Sequence, residues 1–507
     1  MGSLLLVLEV EGQPLRYTSA AGPVTVDGAD YQPGLQVGAV AVHALGSTSV
    51  TVDDPTRDWP ALVLSMGTVP RWPAQLYWAD AAGRIALQVG HATLGELGTP
   101  TTELPISIDS AQVPGARMVP DAAAATVDAG DWPGPEHASD VRYSQDESSI
   151  GAVYPRVYGA PGLTAMVAGA TGGPSTTAYK VETGSGGAAV NSYIVIASPP
   201  TAATSVTLYD QSAGQDDAGA YQTTTATPTV AVDQRGRQVQ VVALAGSSAL
   251  IGYISGTRYG VSWSTSSPAT DRRASFVLTD MLEASGRPVD PARMRLDGLL
   301  FDVAIESPVD PVAWVLEQTG GVPLFVGRSS LGYYARTVPI EQSRADVVLT
   351  LSSADSHSGI APAEPGGVVS RVQVRYAPSD GEMTRTVLLT PTGAEDGATA
   401  SPACALAAAG GYDALMSAEL PAVCDPGTAG RVASLLAAEY ATPGPAVALT
   451  ISDPATVRRL LLLGPACVVE VGADGTLDAP SLTGRRIAVD AMTVTDTTLT
   501  LGGTVRL

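Results

Sequence analysis

The feature that most constrains the fold of this chain is a succession of short apolar runs, each closed by a tight turn. Residues 4–10 form one such run, which ends at a Glu-Gly pair, and residues 24–26 form another, which ends at Asp-Gly. Short apolar runs bounded by such turn residues are typical of β-strands joined in hairpins. The sequence therefore predicts a chain that is mainly β.

The same pattern continues through residues 1–114. Further strand-like segments are residues 75–78, 84–89 and 104–108. Short strands at close spacing favour an antiparallel barrel or sandwich, so we predict an amino-terminal β-barrel domain over residues 1–114. Residues 115–159 show little periodicity and are predicted to form an extended arm.

From about residue 160 the composition changes to Gly, Ser, Thr and Ala with few charges. Strand-like segments remain within it, at residues 178–183, 193–197, 206–209, 229–232 and 238–244. Residues 233–236 form a hairpin-turn sequence between the last two of these segments. We predict an inserted β-sandwich over residues 160–248, bounded by turns.

Helical patterns are confined to the second half. Residues 271–285 place five apolar side chains on one face: Ala274, Val277, Leu278, Met281 and Leu282. A second helix begins with Asp310 as its N-cap and Pro311 as its first residue, and it buries Val312, Val315 and Leu316. A third, over residues 427–441, stacks Ala429, Val432, Ala433, Leu436 and Tyr440.

The rest of the second half divides into two predicted domains. Residues 249–340 combine helices with a return strand as a small α+β domain. Residues 341–507 are predicted to form a second β-barrel domain, interrupted by a helical insertion over 401–442. Its strand-like segments are residues 346–351, 368–376, 385–389, 446–451 and 467–507.

Length and composition agree with this multidomain β organisation. At ~100–200 residues per domain, 507 residues predict about three or four domains. Aromatic residues make up only 5%, so the cores must be built from Val, Leu, Ala and Thr. The net charge is −22, with Lys180 as the only lysine, and phosphate contacts depend on Lys and Arg. We therefore expect no specific binding of nucleic acid or of an anionic membrane.

The cysteines and the apolar segments bear on the cellular compartment. Cys404, Cys424 and Cys467 lack metal-binding spacing, and buried free thiols are favoured over a Cys404–Cys424 bridge. No signal-peptide pattern or membrane-length apolar run is present. The sequence predicts a soluble protein made in the cytoplasm.

No motif for metal or nucleotide chemistry stands out. The four histidines, His43, His91, His137 and His357, share no ligand spacing, so no metal site is predicted. Residues 184–189 fit G-x-G-x-x-A as a string but precede a strand-like segment. A phosphate-binding loop needs a helix there, so no nucleotide cofactor is predicted.

Acidic clusters and tryptophans were the remaining candidates for chemistry. Asp53, Asp54 and Asp58, then Asp216 with Asp217, and Asp474 with Asp478 could serve a glycosidase or bind calcium. Gly or Pro flanks each cluster, which favours solvated turns. Trp59, Trp72 and Trp78 could form a sugar platform, but core or interface positions are favoured. We predict no catalytic, cofactor or metal residues, and no enzyme.

Several ordered motifs carry a family resemblance. They are residues 307–325, 372–376, 422–425, 482–490 and 498–507, with looser likeness at 26–31 and 154–159. In this order they resemble the tail-tip or baseplate hub proteins of tailed bacteriophages and gene transfer agents.

The resemblance implies a structural role in a virion. Hub proteins form homotrimers in which each subunit supplies two related barrels, so the ring is pseudo-hexameric. Such a ring would join the tail tube to a central spike or fibre and let DNA pass during host cell entry without binding it specifically. Implied partners are the tail tube or distal tail protein, the tape measure protein and the spike or fibre protein. The location would be the virion tail tip, after assembly in the host cytoplasm.

Two other functions remain open at this point. A carbohydrate-binding or adhesin protein for host-surface attachment would use residues 160–248 and exposed tryptophan. A glycosidase or other hydrolase would need an acidic pair from the clusters above.

Overall fold

The computed structural model describes most of the chain. The described residues are 2–66, 71–97, 101–111, 113–132, 143–144, 150–159, 177–184, 191–198, 203–215, 221–245, 259–265, 272–296, 298–338, 347–351, 356–361, 367–379, 382–472 and 482–506.

The amino-terminal third is mainly β. Its elements are β1 (Ser3–Val10), β2 (Gln13–Thr18), β3 (Val24–Val26), β4 (Ala29–Pro33), β5 (Leu35–Val37), β6 (Val40–Ala41), β7 (Ser47–Asp53), α1 (Trp59–Met66), β8 (Arg71–Asp80), β9 (Gly83–Leu94), β10 (Glu103–Asp109), α2 (Ala122–Ala125), β11 (Tyr143–Ser144) and β12 (Arg156–Tyr158).

The middle of the chain continues with strands and then with two helices. Its elements are β13 (Thr177–Gly184), β14 (Asn191–Ala197), β15 (Ala203–Gln215), β16 (Tyr221–Ala226), β17 (Thr229–Val232), β18 (Gln238–Ala245), β19 (Tyr259–Thr265), α3 (Ala274–Ala284), β20 (Val303–Ile305), α4 (Pro311–Gln318), β21 (Leu324–Arg328) and β22 (Tyr333–Thr337).

The carboxy-terminal part alternates strands and helices. Its elements are β23 (Leu349–Leu351), β24 (Ser356–Ala361), β25 (Arg371–Ser379), β26 (Glu382–Thr390), β27 (Ala398–Ala400), α5 (Pro402–Ala409), β28 (Leu415–Leu420), α6 (Pro426–Tyr440), β29 (Ala446–Ile451), α7 (Pro454–Leu463), β30 (Cys467–Val471), β31 (Arg486–Val494) and β32 (Leu499–Arg506).

The strands form several separate sheets. The amino-terminal sheet has nine strands in the order β3-β4-β2-β1-β8-β9-β10-β7-β5, and the carboxy-terminal sheet runs β23-β30-β31-β32-β29-β24, with β6 added to β31. Among the described residues, neither sheet closes on itself through hydrogen bonds. The predicted mainly β, multisheet class is confirmed, whereas closed barrels are not seen.

The predicted turns form because their residues accept a left-handed backbone. Glu11 and Gly12 have φ of 50° and 76°, and Asp27 and Gly28 have 51° and 74°. Two successive positive φ angles match the twist of antiparallel strands. The turns therefore fix the registers of β1 with β2, where Val10 pairs with Gln13, and of β3 with β4.

The two ends of the chain share one hydrophobic core. Leu4, Trp78 and Ile106 from the amino-terminal sheet cluster with Leu449 and Leu501 from the carboxy-terminal sheet, and all five are nearly inaccessible. Burying apolar area from both sheets stabilises their association as well as each sheet. The two terminal segments predicted as separate domains therefore pack against each other.

A second core lies between them in sequence. It brings α3 and α4 together with β25, β28, α5 and α6. β25 to β28 form their own four-stranded sheet, in the order β27-β26-β25-β28. Residues 368–376 and 385–389, predicted as strands of the second barrel, therefore lie in a different sheet from β29 to β32. The predicted helical insertion also contains a strand, β28.

The predicted helices are present, with one face corrected. α3 buries all five predicted residues, and Asp310 caps α4 by accepting hydrogen bonds from the Val312 and Ala313 amides. Leu316, however, is 49% exposed, and Trp314 is buried in its place. The prediction was wrong because α4 packs Trp314 against Phe301, with ring centroids 5.6 Å apart.

Three helices were not predicted: α1, α7 and the four-residue α2, which lies in the segment predicted to be an extended arm. The interpretation that helices occur only in the second half was wrong, since α1 lies at residues 59–66, where nearly every side chain is apolar and no face stands out. α7 was missed although Asp453 and Pro454 repeat the Asp-Pro start of α4 and α6. That cap signature, with Asp453 accepting from the Thr456 amide, was the available signal.

The predicted insertion forms a sheet in the order β16-β15-β19-β13-β14-β18-β17, with β11 added to β13. The hairpin predicted at residues 233–236 joins β17 to β18. β19 lies beyond the predicted boundary at residue 248 and pairs with β13 and β15. The sheet therefore draws on chain from both sides of that boundary.

Candidate functional site

The acidic cluster at Asp53, Asp54 and Asp58 maintains local structure. Asp54 accepts hydrogen bonds from the Thr56 amide and hydroxyl and from the Tyr17 hydroxyl, and Arg57 lies 3.3 Å away. Burial alone would raise the pKa of the Asp54 carboxyl, but these bonds outweigh burial and lower it.

The other two carboxylates of that cluster are also engaged. Asp53 accepts from the Thr102 hydroxyl at 2.7 Å, and Asp58 accepts from the Ala61 amide at the start of α1. Carboxylates bound in this way stabilise turns and helix starts. The other two predicted acidic clusters lie outside the described residues.

The three tryptophans weighed as a sugar platform occupy the core positions that the sequence favoured. Trp59, Trp72 and Trp78 are all buried in the shared core, with at most 5% of each side chain exposed. Trp59 also donates its indole N–H to the Thr102 carbonyl at 3.0 Å. A sugar-stacking face must be open to solvent, so these residues act in packing.

The histidines are dispersed. His43 is buried at the meeting of three chain segments, and His91 lies on β9, where partial burial lowers the pKa of its ring. His137 and the side chain of His357 lie outside the described residues. Within the described part of the chain, no three His, Cys, Asp or Glu side chains are placed to hold one metal ion.

The three cysteines have a structural role. All three cysteines are buried free thiols, so the Cys404–Cys424 bridge is not formed. Burial raises the pKa of the Cys467 thiol to about 12, which keeps it unreactive.

The G-x-G-x-x-A string does not precede a helix in the described chain. Gly184 is the last residue of β13 and the next described segment is strand β14, whereas a phosphate-binding loop would precede a helix. In the described chain, no helix is long and apolar enough to cross a membrane.

The contact between the two terminal sheets is specific as well as apolar. β6 pairs with β31 through Val40 opposite Val494, and the Val42 amide donates to the Met492 carbonyl at 2.9 Å. Asp496 accepts from the Ser19 hydroxyl at 2.6 Å. These directional bonds fix one orientation of the sheets, which apolar contact alone would not do.

α7 is clamped between the sheets and the second core. Midway along α7, Arg458 donates to the carboxylate of Asp80, the last residue of β8, at 2.7 Å. At its end, Arg293 and Arg336 both donate to the Leu463 carbonyl. Positive groups at a helix carboxy-terminus bind its free carbonyls and interact favourably with the negative end of the helix dipole. These arginines therefore tie the second core to the shared core.

His43 sits beside this clamp. Its Nδ1 lies 2.9 Å from the Tyr334 hydroxyl, and its carbonyl accepts from the Arg328 amide at 2.9 Å. The segments that carry His43, Tyr334 and Gly464 meet here, and we call this meeting point the junction. Gly464 has φ of 71°, and a Cβ there would stand 3.2 Å from Nδ1 of His43 and 2.8 Å from Arg293. The three segments meet too closely at this point for a larger residue.

The predicted arm is anchored to the inserted sheet. Arg237 donates to Asp131 at 2.7 Å, to Asp233 at 2.5 Å and to the Thr126 carbonyl at 2.9 Å. Both carboxylates are almost fully buried. Since a buried charge must be paired, this network holds residues 124–132 against the β17–β18 hairpin.

The sheets also present edges. β24 pairs along its whole length with β29, and on its other side no described strand pairs with it. β3 and β5 end the amino-terminal sheet. Unpaired strand edges are the parts of a β protein that accept another chain, so these edges are the candidate functional surfaces.

Comparison with known proteins gives similarity to solved structures alone. No protein-family model and no curated protein matches the chain. Among solved structures, the chain is similar to the 43 kDa tail protein of prophage MuSo2 from Shewanella oneidensis, with a TM-score of 0.38 and 8% identity over 100% of this chain and 98% of that one. Values this low do not establish a shared family.

Proposed function

We propose that this chain is a structural virion component, a tail-tip or baseplate hub of a tailed bacteriophage or gene transfer agent. In this proposal three copies form a pseudo-hexameric ring that joins the tail tube to the central spike or fibres and lets DNA pass during host entry. The observation that carries the proposal is the pair of open sheets, built from the two ends of the chain, that share one core.

That architecture suits a ring subunit. A subunit that transmits load between a tube and a spike needs its two β units fixed in one orientation. The shared core and the β6–β31 pairing supply such a connection. Each sheet keeps at least one unpaired edge among the described strands, and ring closure removes exposed edges. The order of motifs in residues 300–507 supports the same proposal.

The proposal includes no catalytic step. The described acidic candidates are committed to turns and to a helix start, and Trp59, Trp72 and Trp78 are packed in the shared core. We propose that assembly is the activity of the chain and that any enzyme acting on the host envelope belongs to another component.

The test is to determine the mass and symmetry of the assembled protein. Light scattering on purified chain, with tube and spike partners supplied if assembly needs them, should give a trimer. Particle images should show a three-fold ring at the tail tip labelled by an antibody to this chain. A strictly monomeric or dimeric particle under these conditions would refute the hub proposal, and binding of the isolated chain on a glycan array would favour an adhesin.

A further inference from the structure

The strand β24 leaves part of the apolar inner surface of its sheet open. In the antiparallel register with β29, Ile360 stands opposite Val447 and Ser358 opposite Leu449. Directly opposite residues point to the same face of a sheet. Val447 and Leu449 belong to the shared core, so Ile360 lies on the core-facing side.

Ile360 is nevertheless exposed. Val447 is 4% exposed, whereas Ile360, one strand further out, is 47% exposed. Among the described residues, β24 is the last strand on this side, and the core face ends there uncovered. A further strand beside β24 would cover Ile360 and continue the core.

The sequence of β24 also lacks the features that keep sheet edges apart. Proteins protect long edge strands with Lys, other charges, Pro or bulges. β24 reads Ser-His-Ser-Gly-Ile-Ala, with no Lys, Arg, Asp, Glu or Pro, and its six residues pair with β29 without a bulge. The other ends of the two terminal sheets, β3, β5 and β23, are only three residues long.

We propose that β24 receives an edge strand of a second copy of this chain, with Ile360 buried at the contact. This inference rests on the proposed homo-oligomeric function and names the surface that builds it. Ring contacts between identical subunits are heterologous, joining two different patches. The complementary patch is an edge of the next copy's amino-terminal sheet, where β3 and β5 are the terminal strands.

The charge of the chain argues for this surface. Each copy carries a net charge of −22, so two copies repel each other over most of their surfaces. An approach along a strand without carboxylates avoids this repulsion locally. β24 offers an uncharged backbone ladder and an apolar side chain in one place, and β3 and β5 are likewise free of charged residues.

The experiment compares two matched substitutions in the full-length chain. Ile360→Lys places a charge on the proposed contact. Val348→Lys is the control, because Val348 is also 47% exposed and precedes β23 at the opposite end of the same sheet. Analytical ultracentrifugation over a concentration series measures self-association, and circular dichroism with thermal unfolding checks that each variant is folded.

We expect Ile360→Lys to weaken self-association about tenfold or more, while Val348→Lys and the conservative Ile360→Val leave it within about twofold of wild type. Equal association of wild type and Ile360→Lys would overturn this inference and leave the ring proposal intact. Equal weakening by both lysine variants would also overturn it, since the effect would then be general charge.

A wild-type chain that stays monomeric, alone and in assembled tails, would refute the proposed function itself. A monomeric wild type whose incorporation into tails is lost only in Ile360→Lys would assign β24 to another tail protein, and would overturn the second-copy inference. If Ile360→Lys fails to fold, Ile360→Ser supplies the polar variant, with Val348→Ser as its control.

Discussion

Acidification should loosen the junction around His43. The ring is 3% exposed, hydrogen-bonded to Tyr334, and near the guanidinium of Arg293. Burial first, and then the nearby Arg293 charge, lower the pKa of His43 from 6.5 to about 4. Asp290 and a hydrogen bond with the Ala86 backbone act in the opposite direction but do not cancel the shift.

The direction and size of the pH effect on the stability of this junction follow from proton linkage. A folded-state pKa below the unfolded value means that the open junction binds protons more tightly than the closed one. The closed junction is therefore fully stable above about pH 6.5 and loses stability as the pH falls toward 4. At pH 5 the difference between the two pKa values of His43 raises the equilibrium constant for opening about thirtyfold over its value at neutral pH, or about 2 kcal/mol.

Hydrogen exchange read by mass spectrometry is the suitable assay, because global unfolding of a multidomain chain is not two-state. His43→Asn is the matched variant. Asn tolerates the left-handed backbone at this position, where φ is 57°, and it does not titrate. From pH 7.5 to pH 5, protection of peptides covering residues 40–46 and 324–336 should fall about thirtyfold more in wild type than in the variant.

Peptides from β25 and β26 serve as internal controls, since they lie in the second core away from His43 and should change equally in both proteins. Equal loss of protection at the junction in wild type and His43→Asn would show that the imidazole does not titrate on opening, and the argument from burial would be wrong.

Three further outcomes are expected. Arg237→Ala should loosen the arm and cost about 3 kcal/mol locally, because it leaves the buried Asp233 without its guanidinium partner and Asp131 paired with Arg235 alone; limited proteolysis should then cut residues 113–132 faster, whereas Arg235→Ala leaves both buried carboxylates paired with Arg237 and should change cleavage less. The assembled protein should bind duplex DNA weakly, since the net charge is −22; tight, salt-sensitive binding in a filter assay would contradict a passive channel. Replacing residues 160–265 with a Gly-Ser linker should preserve self-association measured by light scattering, because the contacts of Trp132 with β17 and β18 form a cluster separate from the shared core; collapse of the oligomer would place this sheet in the ring.

Local sequence patterns were sufficient where the determining contacts are local. The turns at Gly12 and Gly28, the buried face of α3 and the Asp310 cap all depend on residues within a few positions of one another. Backbone stereochemistry and helical or strand periodicity fix such features before any tertiary contact forms. The acidic turn at Asp54 belongs to the same class.

Local patterns were insufficient where a partner decides the outcome. Which face of α4 is buried depends on the contact between Trp314 and Phe301. The spacing of apolar residues within the helix does not reveal that contact. Nearly every side chain of α1 is apolar, so its sequence shows no helical periodicity. α7, in contrast, begins with an Asp-Pro pair that predicts a helix start.

The sequence by itself determined that this is a mainly β chain with most of its helices in the second half, and it located segments of many of its strands. Only the tertiary structure decided that the first and last strands share one core, that β25 and β26 leave the carboxy-terminal sheet, and that β24 ends its sheet with Ile360 exposed. The reason is physical. Alternation along a strand records which side chains point inward, but the apolar surface they meet is hundreds of residues away, and Val and Leu on one sheet carry no mark of which other sheet will cover them.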